Sequence, residues 1–324
     1  MSWELFSGTG TPRRPEPTRE RPEPKAYDRL PEMPPWRRAH RGDPPPYAMP
    51  DELRNAVNAA LHLRRPLLLT GATGTGKSTL MAVLARELDL EPVLPWHITS
   101  KSVLGDGLFS YDSLDRLQDS DPGSARKPPV DHYITLGPLG TALASRHPRA
   151  VLIDEIDKSD LDLPGDLLNV LETGTFEIPQ LVRARRLRDP GLPAPPPFRV
   201  RGYDGQEYDV GDGKVTVAPE NFPVIVFTSN EERAFAPPFL RRCIRYKFKE
   251  PTEKTLIEIV SKHLAGEERL QAGAIADFAE RLGRSDRLAV TQLLDLVHLV
   301  AGGRPEPIPE EELRKILFKP LTET

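Results

Sequence analysis

Gly71-Ala72-Thr73-Gly74-Thr75-Gly76-Lys77-Ser78 constrains this chain more than any other stretch of its sequence. Its glycines let the backbone bend until successive N–H groups face one point, and a helix starting behind them adds positive potential there. Such a loop holds a phosphate only between a strand and a helix. Both flanks meet that condition: Pro66-Leu67-Leu68-Leu69-Thr70 reads as a short buried strand, and Leu80, Val83, Leu84 and Leu88 recur at helical spacing. The segment therefore predicts phosphate binding on an open sheet, with Lys77 reaching the β- and γ-phosphates and the Ser78 hydroxyl ligating Mg²⁺.

Further strands are expected at 92–99, 150–153, 224–228 and 244–248. The first three read as apolar without alternation, the pattern of a parallel sheet covered by helices on both faces. The fold class is thus α/β, a P-loop nucleotide-binding domain with a parallel sheet flanked by helices. Asp51 is expected to cap a helix carrying Leu53, Val57, Ala60 and Leu61 on one face. Two long interruptions, near 100–148 and 173–222, break the pattern. In the second, Phe198–Arg201 and Lys214–Val217 are expected to pair as one hairpin. From Pro251 the texture becomes helical, with stripes at Leu256, Ile259 and Val260, at Ile275, Phe278 and Leu282, and at Leu293, Leu296 and Val297. A last helix is expected over Glu310–Leu317. The domains expected are an arm over 1–46, an α/β domain over 47–250 and a small helical domain over 251–324.

Catalytic candidates follow the glycine loop in order. Ala150-Val151-Leu152-Ile153 delivers Asp154 and Glu155 at the end of a strand, where open α/β sheets place their ligands. Asp154 is expected to hold Mg²⁺ through its water shell, and Glu155 to polarise the water that attacks the γ-phosphate. Asp157 and Lys158 are expected to be surface charges. Asn230 ends the apolar strand Val224–Thr228 and is placed to hydrogen-bond the attacking water or the γ-phosphate. Arg241 and Arg242 precede the strand at Ile244; a planar, permanently charged fork suits transition-state charge on a phosphoryl group. The residues set against the nucleotide are Gly71 to Ser78, Thr79 and Asp154, with Ser78 and Asp154 on the metal.

Composition bounds what else the chain does. Of its 324 residues 36 are proline and 38% are hydrophobic, so part of it lies outside any packed core. Prolines among Arg and Glu concentrate in 1–46, read as an extended or disordered arm. Its Trp3-Glu4-Leu5-Phe6 and Pro34-Pro35-Trp36 patches serve either as linker or as anchors on a neighbour. A net charge of −4 argues against a chain whose main task is coating nucleic acid. The single cysteine, Cys243, excludes an internal disulfide and reads as a packed small residue. With no apolar run of about 20 residues and no secretory signal, a cytoplasmic protein with no membrane partner is expected.

In this order the parts resemble AAA+ ATPases, and within them the MoxR-like group. Gly71–Ser78 is similar to Walker A, Val151–Glu155 to Walker B, Asn230 to sensor 1, and the Arg241-Arg242 pair to the arginine-finger position. Asp154–Lys158 with Leu167–Glu172 is similar to MoxR-type sequence after the acidic pair, and Ile98–Asp112 to a bacterial subgroup tied to conflict and defence systems. The resemblance implies a hexameric ring with nucleotide between subunits, one arginine acting in trans, and ATP and Mg²⁺ as cofactors. It also implies chaperone-like work on a protein partner, of the von Willebrand factor A type. Phe109 and Tyr111 become either ring-facing contacts or packing within the first insert. One departure stands out: where a lid helix often opens with a sensor 2 arginine, this chain has Thr291, leaving Arg284 or Arg287 as substitutes.

Two other readings stay open. A DNA-handling motor would use Arg183, Arg185, Arg186, Arg188, Arg199 and Arg201 as a basic track. A nucleotide-state switch would gate an effector without steady turnover. The glycine loop does not choose ATP over GTP, and the segment around Tyr47 and Ala48 is expected beside the base.

Overall fold

The computed structural model describes residues 34, 47, 49–119, 128–187, 195–263, 272–283, 288–301 and 309–319. The arm over 1–46, apart from Pro34, lies outside them, as do Ala48, Arg188, Arg284 and Arg287. The chain divides into two units. One holds Met49–Gly71 and Gly76–Phe248; the other holds Ala72–Thr75 and the chain from Lys249.

In the larger unit, α1 (Asp51–Leu63) leads into β1 (Leu67–Thr70), and the glycine loop leads into α2 (Lys77–Glu87). Asp51 does not cap α1. It is the first helical residue, Pro50 is the cap, and the Asp51 carboxylate accepts from Arg54 at 2.6 Å. After β2 (Leu94–His97) come α3 (Leu104–Leu108), β3 (Phe109–Tyr111), α4 (Ser113–Gln118), β4 (Ile134–Leu136) and α5 (Pro138–Ala144). Then follow β5 (Ala150–Asp154), α6 (Leu163–Thr173), β6 (Thr175–Glu177), α7 (Pro179–Arg186), β7 (Phe198–Arg201), β8 (Glu207–Val210) and β9 (Lys214–Thr216). The unit ends with β10 (Val224–Ser229), α8 (Pro237–Leu240) and β11 (Ile244–Lys247).

The five expected strands form one parallel sheet in the order β11-β1-β10-β5-β2. Leu67, Leu68, Leu69, Val151, Ile153, Val226 and Phe227 are buried along it, each such side chain contributing roughly 1.5–3 kcal/mol over exposure. Helix α1 lies against β1 and β11, α2 against β5 and β10, and α5 against β2 and β5. Because all five strands run the same way, their C-terminal ends, where the polar residues stand, converge at one edge.

The inserts pair differently from expectation. Phe198–Arg201 turns at Gly202–Gln206 and returns as β8, with Phe198 opposite Val210 and Arg201 opposite Glu207. The turn closes through Gly202 N–H to the Gln206 carbonyl at 2.7 Å, with Gly205 at φ +80°. Lys214–Thr216 pairs instead with β6, across Thr175–Thr216 and Glu177–Lys214. Strands β3, β4, β7 and β8 form a second, mixed sheet. Phe109 stacks on Phe176 of the second insert at 6.4 Å, and the Tyr111 hydroxyl accepts from Arg116 within the first at 2.8 Å, so one aromatic packs between the inserts and the other within its own.

The other unit contains α9 (Glu253–His263), α10 (Ala272–Gly283), α11 (Val290–Ala301) and α12 (Glu310–Leu317). Leu256, Val260, Ile275, Phe278, Leu293, Leu296, Val297, Leu313 and Phe318 form its core, with the rings of Phe278 and Phe318 5.1 Å apart. Thr291 is exposed on α11. Among the described residues, no helix is long and apolar enough to cross a membrane.

Candidate functional site

Gly71 leaves β1 at φ +135°, and a Cβ there would come within 3.0 Å of the Phe248 Cβ and carbonyl oxygen. Gly76 stands at φ +85° as the cap of α2, a conformation nearly closed to other residues. Between them Thr75 Oγ1 donates to the Ala72 carbonyl at 2.9 Å, holding the tip Ala72–Thr75 in a tight turn.

Helix α2 begins with Lys77 and Ser78. Lys77 is buried, 6% exposed, and its ammonium donates to the Gly71 carbonyl at 2.8 Å. Burial lowers its pKa despite the opposing field of Asp157, Asp154, Glu155 and Glu231. A cation with little water around it is ready to exchange a neutral carbonyl for phosphate oxygens. Ser78 Oγ donates to Asp154 Oδ1 at 2.9 Å, so the hydroxyl and carboxylate expected to share a metal do meet.

Asp154 ends β5, and Glu155 follows in the left-handed region at φ 60°, ψ 47°. This bend swings the Glu155 carboxylate away from the line of the strand. Its Oε1 accepts from Asn230 Nδ2 at 3.2 Å and its Oε2 from Lys158 Nζ at 2.6 Å. That bond raises the Lys158 pKa. The sheet order explains the meeting, because β10 lies beside β5 and places Asn230 next to the acidic pair.

Four residues not assigned from sequence complete this end of the sheet. Thr228 Oγ1 donates to Asp154 Oδ1 at 2.6 Å and accepts the Glu155 N–H at 2.9 Å. Asp157 is not a surface charge: it is 4% exposed, and its Oδ2 accepts the N–H groups of Asn230 at 2.9 Å and Glu232 at 3.0 Å. A carboxylate accepting from two backbone donors is a structural clamp. His97, at the end of β2, brings Nδ1 within 3.4 Å of Asp154 Oδ2. Glu231 pairs with Lys247 at 2.8 Å, which holds its carboxyl below the usual range. A polar residue ending each of three adjacent apolar strands is the sequence signal for Thr228 and His97. Asp157 carries no such mark.

Arg241 and Arg242 lie in the turn after α8, apart from the acidic pair. Arg242 bonds Glu172 through Nε and the Pro238 carbonyl through Nη1 at 3.2 Å. That ion pair lowers the Glu172 pKa and raises that of Arg242. Arg241 is exposed. The Arg65 guanidinium grips the turn from behind, donating to the carbonyls of Arg241 and, at 3.0 Å, Arg242. Cys243 is buried beside them, and burial pushes its thiol up to about 12, so it stays protonated and inert.

The donor set fits a magnesium nucleotide. One hydroxyl and one carboxylate, both hard oxygen donors, sit beside a buried lysine at a helix start, leaving further positions for phosphate oxygens and water. Among the described residues there is no group of three or more His, Cys, Asp or Glu able to hold a metal independently.

No curated protein matches the chain. A solved structure of Thermotoga maritima RuvB, described as a Holliday junction branch migration motor, is similar at 15% identity and a TM-score of 0.42, covering 82% of this chain and 67% of that one. A variant of the same protein is similar at 15% identity and a TM-score of 0.42, covering 83% of this chain and 68% of that one. A family model described as an AAA domain of the dynein-related subfamily matches residues 66–243, from β1 through the arginine turn. That stretch is over half of the chain and holds the glycine loop, the acidic pair, Asn230 and both arginines: the chain belongs to the AAA domain family, in its dynein-related subfamily.

Proposed function

We propose that this chain is an ATP-hydrolysing AAA+ machine of the MoxR-like type, which remodels or activates a protein partner from within a ring of identical subunits. The observation that carries the hydrolytic part is the meeting of Ser78 with Asp154 and of Asn230 with Glu155 at one end of the parallel sheet. Lys77 and the loop N–H groups bind and orient the β- and γ-phosphates. Ser78 and Asp154 would hold Mg²⁺, which supplies charge neutralisation for the transferring phosphoryl group. Glu155 takes the proton of the attacking water, and Asn230 orients that water, once Lys158 and Asn230 release the carboxylate oxygens. The exposed site turn presents Arg241 or Arg242 to the neighbouring subunit's nucleotide.

Protein rather than DNA is the favoured partner. Arg199 and Arg201, two members of the possible basic track, stand directly across the β7–β8 pair from Asp209 and Glu207. Arg185 lies 4.5 Å over the Phe198 ring and bonds the Gly211 carbonyl. Charges so engaged release few counterions on DNA. A partner of the von Willebrand factor A type is the first to test.

Phosphate release with ATP and Mg²⁺ tests the hydrolytic reading. Glu155→Gln should lower kcat by about 10²–10⁴-fold, the usual worth of a positioned general base, while retaining nucleotide. Turnover equal to that of the unaltered chain would sink it in favour of the switch. Size measurement of the same variant with trapped ATP tests the ring: a monomer there removes any trans-acting arginine. Hydrolysis that rises with DNA and falls steeply with salt would restore the DNA reading.

A further inference from the structure

We infer that Thr228 is the positioning residue of the acidic pair: one buried hydroxyl sets the carboxylate of Asp154 and the backbone of Glu155 together. This deepens the hydrolytic reading of the same site and rests on it.

The side chain is 1% exposed, and its partners fix the direction of both bonds. A hydroxyl has one proton, which goes to Asp154 Oδ1 at 2.6 Å; its lone pair takes the Glu155 N–H at 2.9 Å. Register makes the contact unavoidable, because β10 runs parallel to β5 with Phe227 beside Ile153, leaving Thr228 beside Asp154.

Sheet packing gives no reason for a hydroxyl here. Ile225, Val226 and Phe227 are apolar and buried, and a valine in place of Thr228 would have the same shape and β-branching. The need arises at the next strand. Glu155 leaves β5 at φ 60°, where a non-glycine residue is held against a steric penalty of about 1–2 kcal/mol. Its N–H turns away from the ladder, and Thr228 receives it. Without the hydroxyl, that N–H is left unpaired. Asp154 Oδ1 then keeps only the Ser78 hydroxyl, the group proposed to ligand the metal. The Asp154 carboxylate would lose one of its two donors on Oδ1 and the bend that carries Glu155 would lose its brace, while the glycine loop and Lys77, which grip the phosphates, stay untouched.

The experiment compares Thr228→Val with Thr228→Ser in the full chain, beside the unaltered protein and Glu155→Gln. Thr228→Val should lower kcat by about 10–100-fold, the usual effect of losing a group that orients a metal-binding carboxylate. Its KM for ATP should move by less than about threefold, since phosphate binding is not what is lost. The Mg²⁺ concentration giving half-maximal binding of a fluorescent ATP analogue should rise by about tenfold. Thr228→Ser, which keeps the hydroxyl, should stay within about threefold of the unaltered chain in all three readouts. A Thr228→Val enzyme with unaltered kcat and Mg²⁺ dependence overturns the inference. So does a Thr228→Ser enzyme whose kcat falls by about 10-fold or more, which would make the methyl group the operative part; this arm is scored against the unaltered chain and holds even if the valine variant fails to fold. If the unaltered chain shows no turnover, the hydrolytic reading fails alone, and the Mg²⁺ dependence still decides the role of Thr228.

Discussion

The acidic pair and the arginine pair are both two-residue polar signals beside a strand, yet the fold treats them in opposite ways. Asp154 and Glu155 are drawn inward. Their four carboxylate oxygens face Ser78, Thr228, His97, Asn230 and Lys158, all within the same unit. Arg241 and Arg242 are turned outward on a gripped turn, one exposed and one tied to Glu172. The difference teaches that a polar pair's residue types do not set its role. The acidic pair is held by many mutual bonds, whereas the arginine turn has its backbone braced by Arg65 and one side chain exposed, as the proposed action on a neighbouring subunit would require.

The sharpest way to break that comparison is to remove both arginines. The double variant Arg241→Ala, Arg242→Ala should lower steady-state ATP turnover by about 10³–10⁵-fold if one of them completes a neighbour's transition state. Mixing it with Glu155→Gln should restore part of the activity, since each inactive chain still brings the group the other lacks. Full turnover in the double variant, or no recovery on mixing, would make the turn a surface feature.

Asp157 sharpens the comparison from the other side. Asp157→Ala removes a buried carboxylate and leaves the part-buried N–H groups of Asn230 and Glu232 without their acceptor, which should cost about 1–3 kcal/mol of stability. Because the same carboxylate seats Asn230, kcat should fall alongside. Denaturant unfolding and phosphate release on one preparation read both. A loss of stability with unchanged kcat would separate Asn230 from the chemistry.

How far the sequence foretold this differs between the same two regions. The glycine loop and the strands β1, β5 and β10 were legible because each is a local pattern, a buried parallel strand being a short apolar run. Asn230 was legible for the same reason, as the polar end of such a run. What stayed hidden depends on which strands become neighbours. Thr228 gains its meaning only beside Asp154, and Asp157 only because the chain after β10 folds back over it. The two mispaired insert strands fail similarly, since local alternation finds strands but does not choose partners. Arg65, some 176 residues before the turn it holds, gives no local sign of its task.

Arg65→Met tests that task with a smaller expected effect. The turn keeps its side chains but loses the donor behind its two carbonyls, so turnover should fall by about 3–30-fold, with the loss appearing only in the assembled ring. Equal loss in single-turnover assays on isolated chains would instead assign Arg65 a role in folding alone.

The smallest effect is expected at Lys158. Its ammonium reaches Glu155 Oε2 at 2.6 Å, yet the two side chains remain 40% and 38% exposed. Solvent screens such a pair to about 0–1 kcal/mol, so Lys158→Met should shift Tm by no more than about 4 °C. The sign with pH is fixed by the raised Lys158 pKa: the pair is intact below about 10.5 and is lost only as pH rises through the higher folded value, so this variant's Tm difference should be flat from about pH 6 to 9. For catalysis the pair acts against the proposed base, because it occupies an oxygen that must take a proton. Removing it should leave kcat unchanged or raise it by up to about threefold. A Lys158→Met enzyme as inactive as Glu155→Gln would mean that the lysine works with the base rather than restraining it, and the inward set of bonds would have to be counted one residue larger.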